Sequence, residues 1–298
     1  MNHAELLNLT PDQINPIETA AAYRSSFPSV NSSQSLRDHH IHLMTFLSRL
    51  QTRLWHYRKP LLVLVLLGAI YAAIWLIGFL RDLNSPRNQT FVQWWSGTPA
   101  TREALITVQR DACPGAPFIL PADGYIGLLY GDPRGPYSRS RPHQGIDIFS
   151  NSDLGVTPVY AAYDGYLTRE NTWKSTLIQR IPDDPRQPGR QIWLYYTHMA
   201  DPNGNDFIVA DFPPGTHEVF VSQGTLLGYT GNYSGNPLKP VGIHLHFSIV
   251  LDNGNGSYRN ELQFTNTIDP SPYLGLAVHY ACAEAGVQLC QANPGCNP

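Results

Sequence analysis

Charge is scarce in this chain: Asp, Glu, Lys and Arg make up 14% of its 298 residues, and the formal net charge is −3. The charge is also unevenly spread. Residues 1–112 carry ten Lys/Arg against seven Asp/Glu, and residues 113–298 carry ten against sixteen. An acidic C-terminal part has no electrostatic footprint for a polyanion, which excludes nucleic acid as a partner. Cysteine is thin as well, four residues with no C-x-x-C pair, so a zinc-finger reading is poor. There is no H-E-x-x-H run to carry a metal site on one helix, and no internal repeat to suggest a solenoid.

Glycine and proline are plentiful, 24 and 25 residues, which points to a loop-rich, mainly β fold. The other conspicuous feature is the uncharged stretch Leu61–Leu80. At about 1.5 Å per helical residue it spans about 30 Å, the hydrocarbon thickness of a bilayer. A buried core helix would carry a polar stripe, and a signal peptide would begin nearer the N-terminus with a shorter apolar run. Residues 60–80 are therefore expected to form one transmembrane helix. Arg49, Arg53, Arg58 and Lys59 precede it, whereas Arg81 and Arg87 follow with Asp82 between them. The positive-inside rule then puts the N-terminus in the cytoplasm and the rest outside the cell membrane. All four cysteines (Cys113, Cys282, Cys290, Cys296) fall on that outer side, where two disulfides in any of three connectivities are permitted.

Residues 1–59 read as a cytoplasmic tail, polar and disordered to about residue 32. Beyond it, Leu36, His40, Leu43, Leu47, Leu50, Leu54 and Tyr57 form a heptad-like stripe. That stripe suits either a short coiled-coil homodimer through residues 36–57 or an amphipathic helix on the inner leaflet; the second is favoured, because flanking charges are few. Residues 81–116 read as a linker, with Trp94 and Trp95 as anchors at the outer interface and a short helix over Thr101–Arg110. Residues 117–278 change texture. Short β-type runs alternate with turn residues at Gly145–Phe149, Val159–Ala162, Tyr166–Arg169, Thr176–Ile181, Gln191–Thr197, Glu218–Val221, Thr225–Tyr229 and His244–Leu251. Asp164-Gly165 between two of them reads as a hairpin turn. The expected fold is an antiparallel β-sheet domain, closed by Pro270–Leu274 and followed by a cysteine-bearing tail at 279–298.

Three clusters in this β region carry chemistry: His143-Gln-Gly-Ile-Asp147, Tyr196-Thr-His198-Met199 and His244-Leu-His246-Phe247. On a strand, His244 and His246 project from one face about 7 Å apart. A straight strand would hold His143 and Asp147 about 13 Å apart, too far to share an ion. Asp147 is therefore expected on the strand, with His143 folded back from the preceding loop through Gln144-Gly145. Two imidazoles and a carboxylate suit zinc with one position left for water, and disfavour calcium or magnesium, which prefer oxygen shells. Zinc lowers the pKa of its water to about 7. The remaining imidazoles of His198 and His244 can then move protons near neutrality.

At these residues the sequence resembles the lysostaphin/LytM-type zinc metallopeptidases, whose pattern is H-x-x-x-D, then Y-x-H-hydrophobe, then H-L-H-F. Tyr130-Gly131 with Arg134, Thr157-Pro158-Val159 followed by Asp164-Gly165, and Ile268-Asp269-Pro270 with Tyr273-Leu274 resemble further family segments. The resemblance covers about residues 120–275. It implies an antiparallel β-sheet peptidase with zinc held by His143, Asp147 and His246. It implies His198 and His244 as the catalytic pair that orients water and stabilises the tetrahedral intermediate, and peptide bonds of peptidoglycan as substrate. Some members use a tyrosine just before the first ligand to donate to the oxyanion, and Tyr137 matches that position loosely. Departures are Met199 in place of leucine and enlarged loops at Gly235–Gly242, Pro182–Arg190 and Asp201–Pro214, expected to wall the groove. His217 and His279 lie outside the pattern and read as surface or packing residues. A silent wall-binding or regulatory module of the same fold is the alternative, but such modules typically lack ligands that are all present here.

Overall fold

The computed structural model describes residues 32–109, 111–283 and 286–291; the expected disordered tail before residue 32 lies outside them. The chain divides into two compact units, Met1–Leu76 and Ile77–Pro298. The described residues of the first lie in helix α1, Ser32–Leu83, which runs without a break through Pro60. The expected juxtamembrane helix and the apolar span are thus one 52-residue helix. Its stretch Tyr57–Leu83 is 27 residues with a mean hydropathy of 2.6, long and apolar enough to cross a membrane. From Tyr57 to Leu80 every side chain is exposed. The side chains that would define the heptad stripe lie mostly outside the described set.

The second unit is an antiparallel β-sheet domain. After helices α2 (Pro86–Ser96) and α3 (Pro99–Glu103) come strands β1 (Tyr125–Leu128), β2 (Ile146–Phe149), β3 (Pro158–Tyr160), β4 (Gly165–Thr168) and β5 (Leu177–Ile181). They are followed by β6 (Ile192–Thr197), β7 (Val219–Val221), β8 (Leu226–Tyr229), β9 (His244–Leu251), β10 (Thr267–Ile268) and a closing helix α4 (Ser271–Leu274). The main sheet has the order β1-β2-β9-β6-β5-β4-β7 with β10 also paired to β9, while β3 and β8 form a separate two-stranded sheet. Every pairing is antiparallel.

Strand alternation divides the residues of the main sheet between its two faces. Leu245, Phe247 and Ile249 of β9, Ile146 and Ile148 of β2, and Leu194 and Tyr196 of β6 enter one large core. His244, His246, Ser248 and Val250 therefore share the opposite face. Val250 packs there with Ile178 and Trp193 in a small aromatic-rimmed cluster.

Three expectations need correction. Asp164-Gly165 does not turn a hairpin between β3 and β4, because β3 pairs with β8 whereas β4 pairs with β5 and β7. It links two sheets instead, with Asp164 Oδ1 accepting from the Gln223 amide at 2.7 Å. The segment after the apolar span, expected as a linker, carries the two helices α2 and α3. Trp94, expected at a membrane interface, is buried and stacked on Tyr125 at 5.2 Å, and it shares a core with Leu128 and Phe149. The short helix begins at Pro99 and stops at Glu103, capped by the Thr98 hydroxyl. Two further strands, β1 and β10, are short and without clear alternation, so residue order alone does not announce them.

The last segment is tied back covalently. Cys113 is bonded to Cys290 across 177 residues, and Cys282 is also in a disulfide.

Candidate metal centre and its histidines

Register assembles the site. In the β2–β9 ladder, Asp147 lies directly opposite His246, and Phe149 opposite His244. Cross-strand partners have Cβ atoms about 4.5–5.5 Å apart, within reach of a carboxylate and an imidazole. Asp147 Oδ1 sits 2.8 Å from His246 Nδ1. His143 arrives from the loop before β2, its amide donating to Asp132 O and its carbonyl accepting from Gly131 N. That loop turns the ring back so that Nε2 lies 3.1 Å from Asp147 Oδ1 and 3.0 Å from His246 Nδ1. All three residues are buried, and their ligand atoms lie within 4.8 Å of one another.

The donor set fits a metal ion. His143 Nδ1–H donates to Leu129 O at 3.1 Å, which leaves Nε2 as the lone-pair atom. The second nitrogen of His246, Nε2, faces Glu261 Oε1 at 2.9 Å. Glu261, from the loop after β9, has no signature in the sequence, because no spacing pattern connects it with a histidine fifteen residues earlier. Two nitrogens and an oxygen, with tautomers set by outer partners, are the composition of an open zinc site. Ligand atoms about 2.0–2.1 Å from a tetrahedral ion stand about 3.3 Å apart, close to the separations seen here.

Electrostatics agree with this geometry. Burial opposes ionisation of Asp147, but His143 and His244 overcome it and hold the carboxyl well below the usual range. Burial likewise opposes charge on His246, yet Glu261 and Asp147 on either side raise it to about 10.

His198 and His244 stand beside the three. Their rings are 4.5 Å apart, and His198 is 6.3 Å from His246. One loop sets both tautomers: His198 Nδ1–H donates to Tyr233 O at 2.6 Å, and His244 Nδ1–H donates to Gly242 O at 2.7 Å. In each ring the accepting nitrogen is therefore Nε2. Burial, followed by the His244 and His246 rings, lowers His198 to about 3; burial also lowers His244. His198 has φ of +73°, a left-handed conformation uncommon outside glycine and enriched at functional positions. Tyr137 stacks on His143 at 4.4 Å, and burial followed by Asp147 raises its hydroxyl so that it stays protonated.

Helix α2 reaches the site indirectly. Trp95 meets Phe149 edge-on at 5.3 Å, and Phe149 stacks on His244 at 5.0 Å.

No protein-family model matches the chain, and no curated protein sequence matches it. Solved structures of M23 peptidases do. Helicobacter pylori Csd3 matches at 21% identity and a TM-score of 0.32, over 54% of this chain and 35% of that one. A variant of the catalytic domain of the prophage-encoded M23 protein EnpA from Enterococcus faecalis matches at 19% and 0.30, over 51% of this chain and 98% of that one. Lysostaphin in solution matches at 20% and 0.32, over 57% of each chain. The match thus spans about a third of the Helicobacter protein and over half of lysostaphin.

The remaining histidines and loops separate clearly. His279 is a packing residue, set against Tyr130 at 5.7 Å and Tyr280 at 5.3 Å, and His217 is exposed. The Gly235–Gly242 segment lies beside the histidines through Gly242. Asp201–Pro214 follows His198 directly, and a Cβ at Gly204 would meet the Tyr233 ring. Pro182–Arg190 does not wall the site: it joins β5 to β6 at the Ile192 end, about 17 Å of strand away from Thr197. Its Asp184 binds Arg190 and the Tyr273 hydroxyl, on the closing helix.

Proposed function

We propose that the protein is a zinc metalloendopeptidase that hydrolyses peptide bonds in peptidoglycan, with roles for His198, His244 and Tyr137 in catalysis. One observation carries this reading: three ligand atoms from two distant segments of the chain converge on one point, with two further imidazoles beside it. Zinc held by His143, Asp147 and His246 would act as a Lewis acid and lower the pKa of a bound water to about 7. His198 has its Nδ1 proton committed to Tyr233 O, so Nε2 is the atom that accepts the proton of the attacking water and delivers it to the leaving amine. His244, fixed by Gly242 O beside the His198 ring, orients that water. The Tyr137 hydroxyl, kept protonated by its surroundings, donates to the oxyanion.

The domain division belongs to this proposal. Residues 117–278 form the peptidase, residues 60–80 a single-pass anchor with the N-terminus in the cytoplasm, and residues 279–298 a disulfide-held tail. Flanking charge and the length of Tyr57–Leu83 support the anchor. Digestion of purified peptidoglycan of differing cross-link chemistry by the purified protein tests the activity. New peptide fragments by mass, abolished by a chelator and restored by zinc, are expected; intact muropeptides from every substrate would overturn it.

A further inference from the structure

Among the described histidines, His246 is the one whose ring lies between two carboxylates, Asp147 at Nδ1 and Glu261 at Nε2. This arrangement creates a competition. To ligate a metal the imidazole must be neutral, with one ring proton, and a carboxylate is a good acceptor for that proton on either side. If the proton sits on Nδ1, it points at Asp147 and the ring cannot ligate through that atom. If it sits on Nε2, the Nδ1 lone pair faces the point shared with His143 Nε2 and Asp147 Oδ1.

We propose that Glu261 is a positioning residue for the metal centre: it holds His246 as the Nε2–H tautomer, so that Nδ1 is presented as a ligand. The proposal rests on the metal-centre reading above. Glu261 is placed for the task. Its side chain is 12% exposed, so the contact is shielded from water. Its loop is braced by the neighbour of another ligand, since Gln144 Nε2 donates to Leu262 O at 3.1 Å, joining the residue after His143 to the residue after Glu261. Asn260 Oδ1 accepts from the Leu262 amide, and Asn266 Nδ2 donates to Asn260 O, so the turn is held on both sides. Second carboxylates of this kind set ring orientation and strengthen the ligand.

The test uses the full chain in detergent, with zinc affinity measured by competition against a chromophoric chelator. Glu261→Met keeps length but has no comparable acceptor, and zinc affinity should fall by about 10–100-fold. Glu261→Gln keeps an acceptor oxygen and should recover most of that loss, which a merely structural role would not predict. Wild-type-like affinity in the Met variant, or equal losses in both, overturns the proposal. Ring ¹⁵N spectra of the zinc-loaded wild type read the tautomer without any variant: a proton on His246 Nε2 is expected, and one on Nδ1 overturns it. A wild-type chain that fails to bind zinc sinks the metal-centre reading itself, whereas a zinc-binding wild type with indifferent variants sinks the role of Glu261 alone.

Discussion

Asp147 and His246 are directly opposed across the β2–β9 ladder, with Oδ1 and Nδ1 2.8 Å apart. Two metal-ligand candidates 99 residues apart in the chain are therefore adjacent because of strand register, and a slip of one residue in β2 would turn Asp147 toward the core and away from His246. Asp147→Asn keeps the shape and removes the charge. Zinc affinity should fall by about 100-fold or more, exceeding the loss of an outer partner. Chelator competition checks it, and unchanged affinity would remove Asp147 from the ligand set.

His198 should act on turnover rather than on metal. His198→Ala is expected to keep bound zinc while kcat on peptidoglycan falls by about 100-fold or more, the usual worth of a positioned acid/base. Metal content and turnover are measured on the same preparation. Full activity in the variant refutes the role.

Acid stability supplies an independent check. The ordinary histidine pKa is about 6.5, and folding lowers that of His198 to about 3. Between those values the unfolded chain binds the proton and the folded one does not, so stability is present above about pH 6.5 and declines as pH falls toward about 3. His198→Gln removes that proton uptake and should flatten the decline in the metal-free protein. Thermal melts from about pH 4 to 8 measure the slope, and parallel curves for variant and wild type would contradict the shift.

The Cys113–Cys290 bridge closes a 177-residue loop. In the chain-entropy model a loop of that length contributes about 5 kcal/mol. Cys113→Ser should lower the melting temperature by many degrees, while activity at low temperature survives, since neither cysteine touches the histidines. Equal melting of oxidised wild type and variant would show that the bridge contributes nothing.

Truncations separate anchor from domain. A fragment beginning at Arg81 should leave the membrane fraction and remain folded. One beginning at Pro117 loses Trp94 from the core it shares with Tyr125, and loses Arg87, which is buried and paired with the fully buried Asp132. Asp132, left with Arg134 alone as its charged partner, and an emptied aromatic site should leave it aggregated or unstable. A stable fragment from Pro117 would restore the linker reading. A fragment from Arg81 that still partitions with membranes would count against Leu61–Leu80 as the anchor.

Much of this is legible in residue order, because its cause is local. Alternation and turn residues place most of the main strands within a residue or two, and the apolar run announces itself by length and absence of charge. The ligand candidates can be named because four of the five histidines in residues 117–278 fall in three compact clusters, one of which also holds Asp147. Gln144-Gly145 even permits the fold-back that brings His143 to Asp147. What residue order could not determine were relations between distant segments. Register decided that Asp147 faces His246, and strand order decided that Asp164-Gly165 joins two sheets. Packing decided that Trp94 enters a core instead of a lipid interface. Glu261 reaches His246 only because a loop folds across the sheet face. Each of these depends on burial and pairing energies summed over the whole domain, and such sums have no signature within any one stretch of chain.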